Sequence, residues 1–196
     1  MKYIQKGPEP EELLLWKAQA NGDWSPSFKA LRGCEKQALY QSLLKEQGAI
    51  CCYCEQRITQ ESSHIEHLKP QEREDVDDLD FSNMLCSCIK IRIKGAENHC
   101  GVRKDNWFDE NLFVTPIQSN CEQQFRYSFN GQIHSTNDAS EETIHRLGLN
   151  CSKLQRLRKA AIDGFVEMDD ISLEMVLQED KDGNFCEFWT TLKGLF

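Results

Sequence analysis

The chain has 196 residues, enough to bury a real core as one ordinary domain or two small, intimately packed ones. Its formal net charge is −9 and no apolar run approaches the roughly 20 residues of a membrane span. That argues against a bilayer protein and against one that grips a polyanion over a broad basic face. The opening residues, Met1 to Pro8, lack the apolar region of a signal peptide, so the ten cysteines read as reduced thiols of a cytoplasmic protein, several of them metal ligands, rather than as a disulfide framework.

In chain order, Glu11 to Ala20 carries Leu13, Leu14 and Trp16 in a helix-favouring context and breaks at Asn21-Gly22-Asp23. A second helix is expected over Glu35 to Gln47, with Leu39, Leu43 and Leu44 as its apolar stripe and Gly48 as its stop. Ile50 to Ile58 reads as a strand or knuckle returning through Cys51, Cys52 and Cys54. Ser63 to Leu68 reads as a short strand, and the chain around Asn83 as a loop. The acidic run Glu72, Glu74, Asp75, Asp77, Asp78 and Asp80 is expected as a solvated loop. Two basic segments stand out, Lys90-Ile91-Arg92-Ile93-Lys94 and the helically spaced Lys153, Arg156, Arg158 and Lys159, the latter an exposed face or a phosphate contact.

After Trp107 the pattern changes. Phe125, Tyr127 and Phe129 alternate up to Asn130-Gly131 and Ile133 resumes, which predicts a hairpin with a two-residue turn. Asp138 with Glu141 suggests a capping box for a helix to Leu147, with Ser140 as the other possible cap. Asn150 is expected to cap a longer helix to about Phe165, turning Leu154, Leu157, Ala161 and Phe165 inward, and a last helix starts near Trp189. Cys34, Cys121, Cys151 and Cys186 read as buried thiols, and His134 and His145 stand isolated.

The chemistry-bearing residues crowd into the middle of the chain. Cys51 and Cys54 are spaced so that one tight turn brings two thiolates to a single tetrahedral ion at about 2.3 Å. The second pair is assigned to Cys88 and Cys100, which flank a loop able to fold back on the first knuckle; Cys86 and His99 are the alternatives. Such a zinc contributes on the order of 10 kcal/mol to folding. Within His64-Ile65-Glu66-His67-Leu68-Lys69-Pro70, a carboxylate directly before a histidine on a strand puts the two side chains on opposite faces, one to hold a metal and one to address water. Neutral imidazole suits a base near pH 7.

Cys51-Cys52-Tyr53-Cys54-Glu55, His64 to Pro70, Phe81-Ser82-Asn83-Met84-Leu85 and His99-Cys100 followed by Lys104 together resemble an HNH endonuclease, most of all the HNH subunit, PtuB, of Septu and retron-associated anti-phage systems. The resemblance implies a ββα-metal finger with zinc knuckles inside an α+β, mainly helical chain: a helical segment at 1–49, the finger at 50–110, and a hairpin with helices at 111–196. It makes His67 the general base, Glu66 a ligand of a catalytic Mg²⁺ or Mn²⁺, and Asn83 the residue that braces the loop and orients the histidine. The position after the second knuckle cysteine, commonly His or Asn, is Gly101 here. Asp105, one helical turn on, is the substitute ligand, with His64 and His99 as the other candidates. Lys69, Lys90, Arg92, Lys94 and Lys104 are the candidate phosphate contacts. The implied substrate is DNA or RNA, and the implied partner is PtuA, an ATPase of the ABC or SMC-like type. Two further readings are a zinc-organised interaction module without catalysis and a zinc-containing DNA-binding protein, which would need a basic recognition helix.

Overall fold

The computed structural model describes residues 1–89, 91, 94–95, 97–168 and 171–196. Lys90 and Arg92 lie outside the described residues. Helix α1 (Glu11–Lys17) begins behind Pro10, a residue whose fixed φ suits a helix start, with Glu11 and Glu12 in its first turn and Lys17 in its last. It buries Leu13 against α2 (Gly33–Glu46), whose inward face is Leu39, Tyr40 and Leu43. Behind α2 the chain makes the cysteine turn, then strand β1 (Ser63–His67), and returns as β2 (Met84–Cys88). The strands are antiparallel, with Ser63 opposite Cys88, Glu66 opposite Leu85 and His67 opposite Met84. The short helix α3 (Cys100–Lys104) follows and packs on β2.

The hairpin therefore joins β1 to a strand that begins where a loop was expected, directly after Asn83. All five residues of β2 are buried, so the period-2 signature of a half-exposed strand is missing. Its outer edge is closed by Gln47: Cys86 N donates to Gln47 Oε1 at 2.6 Å, and Gln47 Nε2 donates to Cys86 O at 2.8 Å. A side-chain amide thus completes the ladder and ties the end of α2 to the sheet.

The second half holds strands β3 (Phe125–Tyr127) and β4 (Ile133–Ser135) and helices α4 (Asp138–Leu147), α5 (Ser152–Val166), α6 (Leu173–Leu177) and α7 (Trp189–Leu195). The β3–β4 connection is longer than a two-residue turn. Gly131 N donates to Ser128 O and Ser128 N donates to Gln132 O, with Gly131 at φ 83°, the left-handed residue that closes a three-residue loop. Helix α4 is capped by Asn137, reciprocated by Ser140, in place of the Asp138–Glu141 pair. Asn150 does not cap α5. Its amide instead exchanges two hydrogen bonds with the backbone of Ile133, sealing the outer edge of β4. Arg158, expected on a basic face, is fully buried and donates to the carbonyls of Gly131 and Leu149, so Leu154, Arg158 and Ile162 form the inward face of α5 while Leu157, Ala161 and Phe165 are half-buried. Cys121 and Cys151 are buried as expected, whereas Cys34 is exposed on the first turn of α2 and Cys186 is half-buried.

One hydrophobic cluster runs through both halves, from Leu13, Leu39 and Leu43 through Tyr53, Met84 and Leu85 to Phe113, Leu147 and Leu154. The chain end is tied to the cysteine turn. Phe188 N donates to Glu55 O at 3.1 Å, and Thr190 N donates to Glu55 Oε2 at 2.8 Å. Among the described residues, no helix is long and apolar enough to cross a membrane.

Candidate active site

The sulfurs of Cys51, Cys54, Cys88 and Cys100 are buried and lie within 4.8 Å of one another. Cys54 Sγ and Cys88 Sγ are 3.6 Å apart, close to the ~3.8 Å edge of a tetrahedron with metal–sulfur bonds of about 2.3 Å. Three local features bring them there. The turn after Cys51 closes through Glu55 N to Cys51 O, β2 ends on Cys88, and α3 begins on Cys100. Cys88 N also donates to Cys51 Sγ at 3.3 Å. Burial pushes the Cys54 and Cys100 thiols well up; it pushes on Cys51 too, but hydrogen bonds from the neighbouring sulfurs prevail and draw Cys51 well below its ordinary value. This donor set could hold a metal such as zinc. Cys86 lies outside the group, and His99 borders it, with Nδ1 3.2 Å from Cys100 Sγ and 3.6 Å from Cys88 Sγ.

On β1, strand alternation sends His64 and Glu66 to one face and His67 to the other. Glu66 is buried and fully engaged. Oε2 lies 3.1 Å from His64 Nε2, while Oε1 takes hydrogen bonds from Tyr53 OH at 3.1 Å and pairs with Lys104 Nζ at 3.0 Å. Burial disfavours its charge, but the hydrogen bond from His64 and the positive charge of Lys104 prevail and hold the carboxyl below its usual range. Burial likewise pulls His64 down, but Glu66 outweighs it and the imidazole lies above its ordinary value. The other His64 nitrogen, Nδ1, is 3.1 Å from Ile89 O. A carbonyl can only accept, so Nδ1 carries a proton in either state of the ring; Nε2 donates to Glu66 when the ring is charged and turns a free lone pair to the same place when it is neutral, the orientation that a backbone carbonyl typically imposes on a metal-ligating histidine.

His67 is held in a complementary way. Its Nε2 lies 3.0 Å from Asp78 O and its ring sits edge-on to Phe28 at 4.6 Å. The same reasoning puts the proton on Nε2 and leaves Nδ1 as the basic nitrogen. Burial pushes its pKa below the ordinary value, so the ring is neutral near pH 7. Asn83 fastens the end of β1: Lys69 N donates to its Oδ1 at 2.8 Å, and its Nδ2 donates to Lys69 O at 2.9 Å. Its amide thus reaches the backbone two residues past His67 rather than the imidazole itself. Glu66, His67, Pro70, Gly101, Asp105 and Asn106 line one open cleft of about 190 Å³.

The glycine after Cys100 has a steric reason. A Cβ at Gly101 would lie 2.2 Å from Glu66 Oε2 and 2.7 Å from His64 Nε2. The histidine on the strand fills the space into which a helical side chain would project. Asp105 does not continue α3: it is the C-cap, at φ 52° and ψ −134°, so it stands at the exposed mouth of the cleft and not one turn along the same helical face. Lys104, a candidate phosphate contact, is turned inward instead, with 1 % of its side chain exposed and its ammonium shared between Glu66 and the carbonyl of His67. Lys69 and Lys94 remain at the surface, Lys69 in part.

Several residues take roles at the site that the sequence alone does not assign to them. Tyr53 and Lys104 gain their roles from contact with Glu66, and Asp78 contributes a backbone carbonyl. The acidic run is largely exposed, as expected, yet its members also fasten the local backbone: Asp78 Oδ2 accepts from Phe28 N, Asp77 Oδ1 accepts from Leu79 N, and Asp80 caps the turn before β2.

A hairpin carrying a buried Glu and His, a short helix behind it, and a four-cysteine cluster beside it define an α+β protein with a metal-capable core and an acid–imidazole cleft. No family model matches the sequence. The chain is 31% identical over 210 aligned positions to the protein named as the candidate HNH endonuclease of retron Ec83 from Escherichia coli, an alignment covering 84% of this chain and 80% of that one. It is 29% identical over 130 positions to the corresponding protein of retron Vc95 from Vibrio cholerae serotype O1 biovar El Tor, and there it spans 61% of the relative's length. The chain belongs to the retron HNH endonuclease family.

Proposed function

We propose that this protein is a metal-dependent HNH endonuclease that hydrolyses phosphodiester bonds of nucleic acid, DNA before RNA, as the effector nuclease of an anti-phage defence complex. The observation that carries this reading is the pose of His67, whose Nε2 faces a carbonyl so that Nδ1 is the proton acceptor, next along the strand to a buried carboxylate. His67 Nδ1 takes the proton of the attacking water, and Asn83 fixes the strand end that carries the ring. Glu66 Oε2 and His64 Nε2 would hold a catalytic Mg²⁺ or Mn²⁺, with Asp105 as the outermost donor in reach of the cleft. Such an ion, when bound, offsets charge on the phosphate and the leaving oxygen. Lys104 and Tyr53 keep the Glu66 carboxylate ionised and aimed.

The four cysteines would hold structural zinc, separate from that ion, and a thiolate cluster of this kind suits the reducing cytoplasm. The finger, at 50–110, would be carried between the helical segment 1–49 and the hairpin-and-helix segment 111–196. Lys69 and Lys94 would contact phosphates. A chain of net charge −9 works with a partner that supplies basic surface, and an ABC or SMC-type ATPase of the PtuA kind fits that need.

The test is cleavage of plasmid DNA and of RNA by the zinc-loaded protein, with and without the ATPase partner, in Mn²⁺. His67→Ala is expected to lower the rate by about 10²–10⁴-fold with zinc content and fold unchanged, and no Mn²⁺ concentration restores it. Wild-type rates in that variant would leave a zinc-organised interaction module in its place.

A further inference from the structure

Beside the cleft lies a second depression of about 230 Å³, walled by Leu68, Phe108, Phe113 and Ile117, with Asn83, Thr115 and Gln118 as neutral polar lining and Lys69, Asp109 and Glu110 as its charged lining. Pockets for drug-sized ligands begin near 300 Å³, so this one suits a single planar heterocycle. It is continuous with the cleft along the chain. Leu68 and Lys69 extend directly from His67, and Phe108 follows two residues after Asn106, which lines the cleft. Phe108 is half-buried and braced edge-on by Phe113 at 6.1 Å. Two cations stand over its ring, Lys69 Nζ at 5.6 Å and the Arg73 guanidinium at 5.8 Å from the centroid. Their acidic partners, Glu110 for Lys69 and Asp75 for Arg73, are well exposed. The Lys69–Glu110 contact, at 3.7 Å, is a weak exposed pair readily exchanged for another anion, whereas Arg73 grips Asp75 at two points and a phosphate must compete with that fork.

An apolar slot with one aromatic wall and a pair of flanking cations is the arrangement that binds a base by its π-face and the adjoining phosphates by charge. We propose that this pocket receives one unpaired nucleobase of the substrate, stacked on Phe108, with Lys69 and Arg73 on the phosphates to either side. The proposal rests on the nuclease reading of the neighbouring cleft and deepens it: the substrate is single-stranded at the cut or extrudes a base there, because a paired and stacked base cannot enter such a slot.

The experiment reads binding, not cleavage. Fluorescence anisotropy of the zinc-loaded full chain, without added divalent cation, is measured with DNA and RNA strands of about a dozen nucleotides, with the same strands made abasic, and with a blunt DNA duplex. The wild type is expected to bind both single strands more tightly than the duplex. Phe108→Leu, which keeps apolar volume and loses the ring face, is expected to weaken single-strand binding about tenfold, the scale of one lost base–aromatic stack. Phe108→Trp retains it. Abasic strands bind the wild type weakly and are indifferent to Phe108→Leu. The proposal is overturned if abasic and ordinary strands bind alike, if Phe108→Leu binds as the wild type does, if the duplex binds best, or if no single strand binds. A protein that shows the expected binding pattern but never cleaves would defeat the nuclease reading alone, so the two failures are distinguishable.

Discussion

The cysteine cluster and the Glu66 cleft share the same short hairpin and helix, yet they are made of opposite materials. Adjacent residues at the start of α3 serve each: Cys100 faces the sulfurs, and Gly101 opens toward Glu66 and His64. The cluster gathers four soft donors with no exposed edge, which suits an ion that holds the chain together and admits no fifth partner. The cleft offers nitrogen and oxygen donors on one side only and is open on the other, which suits an ion that must also meet a substrate. Enclosure, more than donor count, separates a structural site from a reactive one.

The largest expected effect lies at the cluster. Cys54→Ser, or extraction of a metal held by the four sulfurs, should abolish the cooperative thermal transition, since a zinc site of this type contributes on the order of 10 kcal/mol. Circular dichroism beside metal analysis checks it, and a metal-free protein that melts normally would show that the sulfurs pack without holding anything. Next in size is the ion pair under the cleft. Lys104→Met leaves Glu66 buried without its cation and should cost about 3–5 kcal/mol in urea unfolding, with zinc content unchanged; an unchanged midpoint would mean that His64 alone sustains the carboxylate. Smaller still, Gly101→Ala drives a methyl group into Glu66 and His64 and should weaken Mn²⁺ binding about 10–100-fold while the metal content of the neighbouring cysteine cluster stays unchanged. Titration of Mn²⁺ by calorimetry reads this directly. Asp105→Ala, at the open mouth, should shift the same titration less than Gly101→Ala does. The reverse order would make Asp105, and not His64, the principal second donor.

Much of this contrast could be read from the chain before folding, because it lies in chemical type. Cysteines at Cys51 and Cys54 followed by Cys88 and Cys100 announce a thiolate site, since few other reasons place so many in one polar region. A Glu-His pair on a short strand splits its side chains to two faces whatever surrounds it. The helices α1 and α2, the β3–β4 hairpin and α4 also follow from local periodicity and turn residues. Strand β2 did not, because a strand buried on both faces loses the alternation that reveals it. Arg158 departs from its surface signal for a related reason: its charge points to solvent, but the carbonyls of Gly131 and Leu149 hold it in the interior.

The sequence by itself determined which atoms are available, four sulfurs, one carboxylate and the imidazoles, and roughly which of them lie near one another along the chain. Only the tertiary structure decided their states. That His67 presents Nδ1 depends on the carbonyl of Asp78, that Glu66 stays ionised while buried depends on Lys104 and His64, and that position 101 is glycine depends on how closely β1 approaches α3. Protonation, tautomer and permitted side-chain volume are set by neighbours within a few ångströms, and those neighbours are chosen by packing rather than by sequence order.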